Sequence, residues 1–568
     1  MTLIDHDGQT NSYLTPTLIS TIVDRLIQNP PEAWNDEKKQ QVLSAVTARY
    51  QKYHVAVPMQ VKATLHMNEL LGPSNPLVKL VQRVGPKCTS TLDACKEMLA
   101  SVETRDISYT QVACVLLYMV ISHEQQPYNP SIFVEALREH RSGKRLDWQD
   151  VVHAFDREGL NVTKSQFLGI YQALLPLAQE YENFDIQMLW GGAWTHGDTQ
   201  LSFVVGFLSC TSDELDATKI PRLRKAFSLE DFEDASEEVK AYAAKAITHP
   251  LVSFEATSVI FGLIFRSQDT YNHAQTLDIP NTVINANTSI FIVAASAVPK
   301  NWGGLQEQAM KQLFFPYLQK NLPNYNFVLH GLWKKDNHWL AGRLIDAYAR
   351  SPMILPLIFE HAQEHGWIEP LVSMSNELSL DLAAFAHARN ALDYDAWVQT
   401  TLQALPDILP KALYSYLQTK ANHELENQRS HNPPEIPPLT VKTVHSILTI
   451  LQDRCPDEEL LKLQRACLQS YPRLINYGEG FDEVIDANGA ESNAIPPEAD
   501  TIMQEHFKKL YSSETDVREL IEILRKYKTS NDSADQDIFA CMISGLFDEY
   551  NCFGEYPLEA LATTAVLF

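Results

Sequence analysis

Two histidines one helical turn apart, with a glutamate between them, form the sharpest catalytic pattern in the chain: His361-Ala-Gln-Glu364-His365. In H-x-x-E-H the imidazoles hold zinc and the glutamate serves as general base. That chemistry also needs a third ligand from a distant segment and a cleft that retains water. Glu369 lies only four residues on, too close to be that ligand. The plainer reading is a polar outer face on a helix expected over 353–365, whose opposite side carries Ile354, Leu357 and Ile358. With 18 histidines in the chain, one such match is unsurprising. A helical zinc hydrolase is therefore kept as the enzyme alternative.

Other catalytic signatures are missing. There is no G-x-x-x-x-G-K-[ST], no G-x-G-x-x-G and no G-x-S-x-G. Gly478-Glu-Gly480 sits in an acidic stretch that would repel a phosphate. The eight cysteines, at 88, 95, 114, 210, 455, 467, 541 and 552, include no CxxC pair and do not read as a disulfide framework. Cys114, inside the apolar run 112–121, reads as a small core hydrophobe. No catalytic residue, metal ligand or cofactor site is assigned, and the chain is expected not to be an enzyme. Trp190, Trp194, Trp333, Trp339, Phe547, Tyr550, Phe553 and Tyr556 remain as candidate anchors for a partner. Wedges between helices are the better reading for them. Arg222-Leu-Arg224-Lys225 is too small and too isolated to make a nucleic-acid site, and a solvated loop is expected there.

The elements that must position these residues are helices. A chain of 568 residues is too long for one core, so it is either several domains or an array that grows by repetition. Its 21 glycines against 30 prolines suggest many helices stopped at their ends. Stripes recur at Leu18, Ile19, Ile22, Val23, Leu26 and Ile27 within 16–28, and at Val517, Leu520, Ile521 and Leu524. Thr163-Lys-Ser-Gln166 and Ser533-Ala-Asp-Gln536 both read as capping boxes opening apolar faces. Alternating strands with hairpin turns are absent. The fold class is all-α: an elongated HEAT-like helical-repeat solenoid, with separate helical bundles as the runner-up.

The expected organisation is an N-terminal array over 1–423, with a further break near 208–229, and a Pro-rich connector over 424–440. A helical pair over 441–476 and a mobile acidic loop over 477–500 follow, then the start of a second helical domain over 501–568. The loop holds seven acidic residues and no basic one. A net charge of −25 argues against direct nucleic-acid binding. The longest apolar run, VACVLLYMVI, is ten residues, short of a membrane span, and MTLIDHDGQT has no signal-peptide pattern. An intracellular, soluble chain is expected.

Three blocks resemble a known family. They are 167–208 (FLGIYQALLPL, FDIQMLWGGAW, TQLSFVVGFL), 313–333 (LFFPYLQKNLPNYNFVLHGLW) and 538–568 (IFACMISGLFDEYNCFGEYPLEALATTAVLF). Their order is similar to that in the amino-terminal region of the largest, scaffold subunit of the NOT-type cytoplasmic deadenylase complex. The resemblance implies a non-catalytic HEAT-type solenoid that docks non-catalytic subunits of the complex. It also implies that a domain opened by the third block takes short motifs of RNA-binding regulators, while the nuclease station lies beyond Phe568. Cytoplasmic localisation, with a nuclear pool, is what that family implies. A solenoid adaptor for transport or trafficking shares the composition and is set aside only by the three blocks.

Overall fold

The computed structural model describes residues 76–101, 107–122, 127–140, 146–299, 302–374, 376–430, 437, 439–454, 457–475, 477, 496–551 and 557–567. The stripe in 16–28 lies outside these, as do Cys455, Cys552, Phe553, Tyr556 and the body of the acidic segment, 478–495. The described residues form an all-α, HEAT-like helical-repeat fold without a β-strand. A single antiparallel bridge joins Lys225 to Ser253.

Two compact units are present, the first ending at Asn337 and the second running from His338 to Phe568. The first contains α1 (Pro76–Val84), α2 (Leu92–Ala100), α3 (Tyr109–Ile121), α4 (Pro130–His140), α5 (Trp148–His153) and α6 (Lys164–Glu180). It continues with α7 (Gly197–Leu208), α8 (Glu237–Ala246), α9 (Phe254–Ile264), α10 (Gln268–Thr276), α11 (Thr288–Ser296) and α12 (Gly304–Leu318). Helix α13 (Tyr325–Arg350) crosses the boundary. The second unit contains α14 (Leu355–His365), α15 (Ile368–Val372), α16 (Glu377–Ala388), α17 (Tyr394–Ala404), α18 (Leu409–Ser430) and α19 (Val441–Gln452). After these come α20 (Asp457–Ser470), α21 (Pro497–Tyr511), α22 (Val517–Lys528), α23 (Ser533–Asn551) and α24 (Pro557–Leu567).

Helices pack on their sequence neighbours or next neighbours: α2 on α4, α4 on α6, α6 on α7, α7 on α9 and α9 on α11 in the first unit. In the second, α14 packs on α16, α18 on α20, and α21 on α23. An amphipathic helix cannot bury its apolar stripe alone, so each pair is completed by the next. Local sequence sets where each helix starts. The Thr163 hydroxyl accepts from Gln166 N–H at 3.3 Å while the Gln166 side chain accepts from Thr163 N–H at 3.0 Å, the reciprocal box expected from those residues. Before α23 the cap is one residue earlier than expected: Asp532, not Ser533, accepts from Ala534 N–H at 3.0 Å.

The domain boundaries differ from the expected ones in two places. Helix α18 runs through Ser430, well into the connector expected from 424, because Glu424–Ser430 contains no helix breaker before Pro433. The acidic segment ends earlier than expected, since α21 starts at Pro497. Glu498 and Asp500 there lie in the first turn, where helix dipoles favour negative charge. The two compact units meet at 337/338. Asp336 interrupts α13 with φ −160° and ψ 81°, and neither proline nor glycine marks the spot. The stretch 209–228 does lack an α-helix, yet it is bound into its own unit. Ala217 N–H donates to Thr248 C=O at 2.9 Å, Ala226 N–H to Val252 C=O at 2.8 Å and Phe254 N–H to Arg224 C=O at 2.9 Å.

The core of the first unit shows how tightly the array is packed. Trp190, fully buried, stacks on Phe207 with ring centres 3.9 Å apart and planes 4° apart, and Phe167 meets both edge-on. Gly206 lets α7 approach Phe167: an added Cβ would sit 2.8 Å from the Phe167 Cβ and 3.1 Å from its Cγ. Gly342 in α13 faces open space. Gly342→Ala should therefore raise stability by up to ~1 kcal/mol, the usual helix-propensity gain. Gly206→Ala should lose that gain to overpacking worth ~1–3 kcal/mol and come out destabilised in denaturant titration. Acid should weaken the same unit. Burial pushes the His249 pKa down to about 4, and its Nδ1 accepts from Leu251 N–H at 3.1 Å. A depressed folded-state value means this contribution is present above the unfolded value of 6.5 and is lost as pH falls toward 4. Between pH 7 and pH 5 the loss should reach ~2 kcal/mol in thermal unfolding. His249→Asn, which keeps an acceptor at that cap, should remove this share of the pH dependence.

Candidate functional site

The H-x-x-E-H pattern does not assemble into a site. On α14 the inward face is Leu355, Ile358, Phe359 and Ala362, and His361 shares it at 1% exposure. This corrects the expectation of a wholly polar outer face: three residues after Ile358, position 361 falls on the buried side. Glu364 is exposed, while His365 lies flat against Trp367, ring centres 4.4 Å apart at 14°. Gly366 takes the left-handed φ of 72° and ends the helix, with Trp367 N–H donating to Ala362 C=O at 2.7 Å. One imidazole is committed to the core and the other to an indole. Among the described residues no group of three or more His, Cys, Asp or Glu side chains is arranged to hold a metal ion.

Of the candidate anchors, Trp190 and Trp339 are buried wedges, and the Trp190 indole N–H donates to Ser253 Oγ at 3.2 Å. Trp194, Trp333 and Phe547 are half-buried. Tyr550 on α23 is 43% exposed, and Leu561 on the neighbouring α24 is 58% exposed. These two present large apolar surface on the C-terminal helices. The basic stretch is more engaged than a solvated loop. Arg222 Nη2 donates to the carbonyls of Ala178, Tyr181 and Phe184 at 3.3, 3.2 and 2.8 Å, closing the C-terminal end of α6. Arg224 lies 3.8 Å over the Phe254 ring and pairs with Glu255 at 3.2 Å. Two of the three cations are thus committed within the fold. Among the described residues no helix is long and apolar enough to cross a membrane.

Sequence reasoning missed the most concentrated buried polar group. Asp381 on α16 is buried, and three side chains converge on it. Lys420 Nζ lies 2.6 Å from Asp381 Oδ1, Tyr416 OH donates to Oδ1 at 2.7 Å, and Tyr348 OH donates to Oδ2. Burial lowers the Lys420 pKa against the pull of Asp381, and burial followed by the Asp381 charge pushes both tyrosines up. A lysine of lowered pKa beside tyrosines can signal catalysis. Here the charged side chains are under 10% exposed, which leaves no approach for a substrate, and the set instead fastens α13, α16 and α18 together. A signal was present: Asp381 stands between Leu378 and Leu382, and Lys420 three residues after Leu417, both at apolar stripe positions. Lys420→Met would leave the carboxylate buried without its cation and should cost ~3–5 kcal/mol in denaturant unfolding. Asp381→Asn with Lys420→Met should cost less than that single change.

Comparisons with known proteins bear on the same segments. A family model described as CCR4-NOT transcription complex subunit 1 HEAT repeat matches residues 307–452, which include the Asp381 set. A second, described as CCR4-NOT transcription complex subunit 1 TTP binding domain, matches residues 475–568, which include Tyr550 and Leu561. General negative regulator of transcription subunit 1 of Schizosaccharomyces pombe is 25% identical over 514 residues, 88% of this chain and 24% of that protein. The Saccharomyces cerevisiae protein of the same name is 40% identical over 130 residues, 22% of this chain and 6% of that protein. A solved structure titled "N-Terminal domain of the yeast Not1" aligns with a TM-score of 0.47 and 17% identity, covering 81% of this chain and 84% of that one. The match thus spans about a quarter of the length of the fission-yeast relative. Both subunit 1 segments thus occur in sequence in one chain, which is similar to the fission-yeast subunit 1 along most of its own length.

Proposed function

We propose that this chain is a non-catalytic scaffold segment of an mRNA deadenylase complex. Its helical array docks non-catalytic subunits, and its C-terminal helices take short motifs of RNA-binding regulators. The complex thereby supports mRNA decay, translational repression and negative regulation of transcription, in the cytoplasm with a nuclear pool. The observation that carries this reading is the order of the two matched segments, HEAT repeat at 307–452 and TTP binding domain at 475–568, in one chain. The physical features support it. Repeated helix pairs offer a long and rigid contact surface, suited to holding several proteins at once. Tyr550 and Leu561 offer apolar surface in the segment whose family model is described as a TTP binding domain, and tyrosine is among the side chains that most often carry binding energy. A net charge of −25, with Arg222 and Arg224 already engaged internally, supports protein partners over direct RNA contact.

Reconstitution with purified subunits tests the proposal. The chain is expected to form a stable complex with non-catalytic subunits of the deadenylase assembly, to bind poly(A) RNA negligibly at physiological salt, and to shorten no poly(A) substrate by itself. Shortening by the isolated chain, or failure to retain any non-catalytic subunit through size-exclusion chromatography, would overturn it.

A further inference from the structure

The two matched segments leave residues 453–474 between them, a stretch that belongs to the helical pair expected over 441–476. The structure fills that gap with α20 and a short 3-10 turn, Pro472–Ile475, and fastens both ends. On the HEAT-repeat side, Ser470 Oγ donates to the Ala421 carbonyl of α18 at 2.6 Å, and Gln428 Nε2 donates to the Ser470 carbonyl at 2.8 Å. Only three residues later the chain is bound to the C-terminal helices. Arg473 Nε lies 2.9 Å from Asp537 Oδ1 of α23, with both side chains close to 10% exposed, and Ile475 packs on the core of Met503, Phe507, Phe539 and Met542. A second charge acts across the same boundary: Arg429 of α18 pulls down the pKa of Asp548 on α23, which burial holds above its usual value. Asp537 and Asp548 are 11 residues apart, about three helical turns, so they lie on one face of α23. That face meets an arginine at each end.

We infer that residues 457–475 brace the HEAT-repeat helices and the TTP-binding helices of the second unit into one cooperative body, with Arg473–Asp537 as its central fastening. A tether cannot do this, because two buried charges tolerate only the geometry in which they meet. Burial raises the Asp537 pKa despite Arg473, so the pair specifies orientation more than it adds stability. The inference concerns how the two segments move together and stands whether or not either docks the partners proposed above.

Hydrogen exchange of the full chain, followed by mass spectrometry through a sub-denaturing urea series, provides the test. In the unaltered protein, amides of α20 and α23 should open on one shared isotherm, as members of a single cooperative unit. Arg473→Met leaves the Asp537 carboxylate buried and unpaired. It should raise opening of α20 and α23 together, by ~10-fold or more, while α7 in the first unit stays unchanged. Arg473→Met with Asp537→Asn removes the stranded charge and should return both helices together toward the original rates. Separate isotherms for α20 and α23 in the unaltered protein would overturn the brace. So would faster exchange confined to α23 in Arg473→Met. The first measurement decides the matter even if the variant does not fold.

Discussion

Asp381 has given up water inside a stack of helices, and three helices are arranged by what that carboxylate needs in exchange. Lys420 and Tyr416 come from α18 and Tyr348 from α13, so α16 can occupy only the position in which all three reach it. Apolar contacts between helix pairs are permissive, since side chains of similar size can slide past one another by a turn. A buried carboxylate with one cation and two hydroxyl donors is not permissive, because any slip strands a charge. The same logic recurs at Arg473–Asp537 and, with a cation against carbonyls, where Arg222 closes α6.

These fastenings bear on how a scaffold works. A protein that holds several partners at set positions gains from rigidity, because order already present in the free chain does not have to be bought at binding. The described helices combine extensive apolar packing with a few polar locks at crossing points. Trp190 on Phe207 is of the first kind, and the Asp381 set is of the second. Large apolar side chains left exposed, such as Tyr550 and Leu561, fall in the segment whose family model is described as a TTP binding domain. Exposed large apolar side chains also occur elsewhere, Ile408 and Met353 among them, so it is the rigid interior that fits the proposed scaffold role.

Much of the fold was legible in the residues taken one stretch at a time. Helical period, capping boxes such as Thr163–Gln166 and the scarcity of glycine are local properties, set by hydrogen bonds and dihedral angles within a few residues. They led to an all-α repeat architecture, and three blocks led to the resemblance that the comparisons also find. The H-x-x-E-H pattern was also legible, but its spacing says only that the side chains lie on neighbouring positions of a helix. Whether position 361 faces water or core depends on which stripe of α14 the next helix covers.

What the tertiary structure alone decided was which charges meet. Asp381 and Lys420 are 39 residues apart and Arg473 and Asp537 are 64 apart, and 71 acidic against 46 basic residues allow too many pairings for any to stand out. The unit boundary at 337/338 was equally hidden, because Asp336 leaves helical geometry without a proline or glycine to announce it. Composition and period determined that this chain is a helical array. Packing determined where that array is locked and where it is divided, because a buried charge chooses its partner through space and not along the chain.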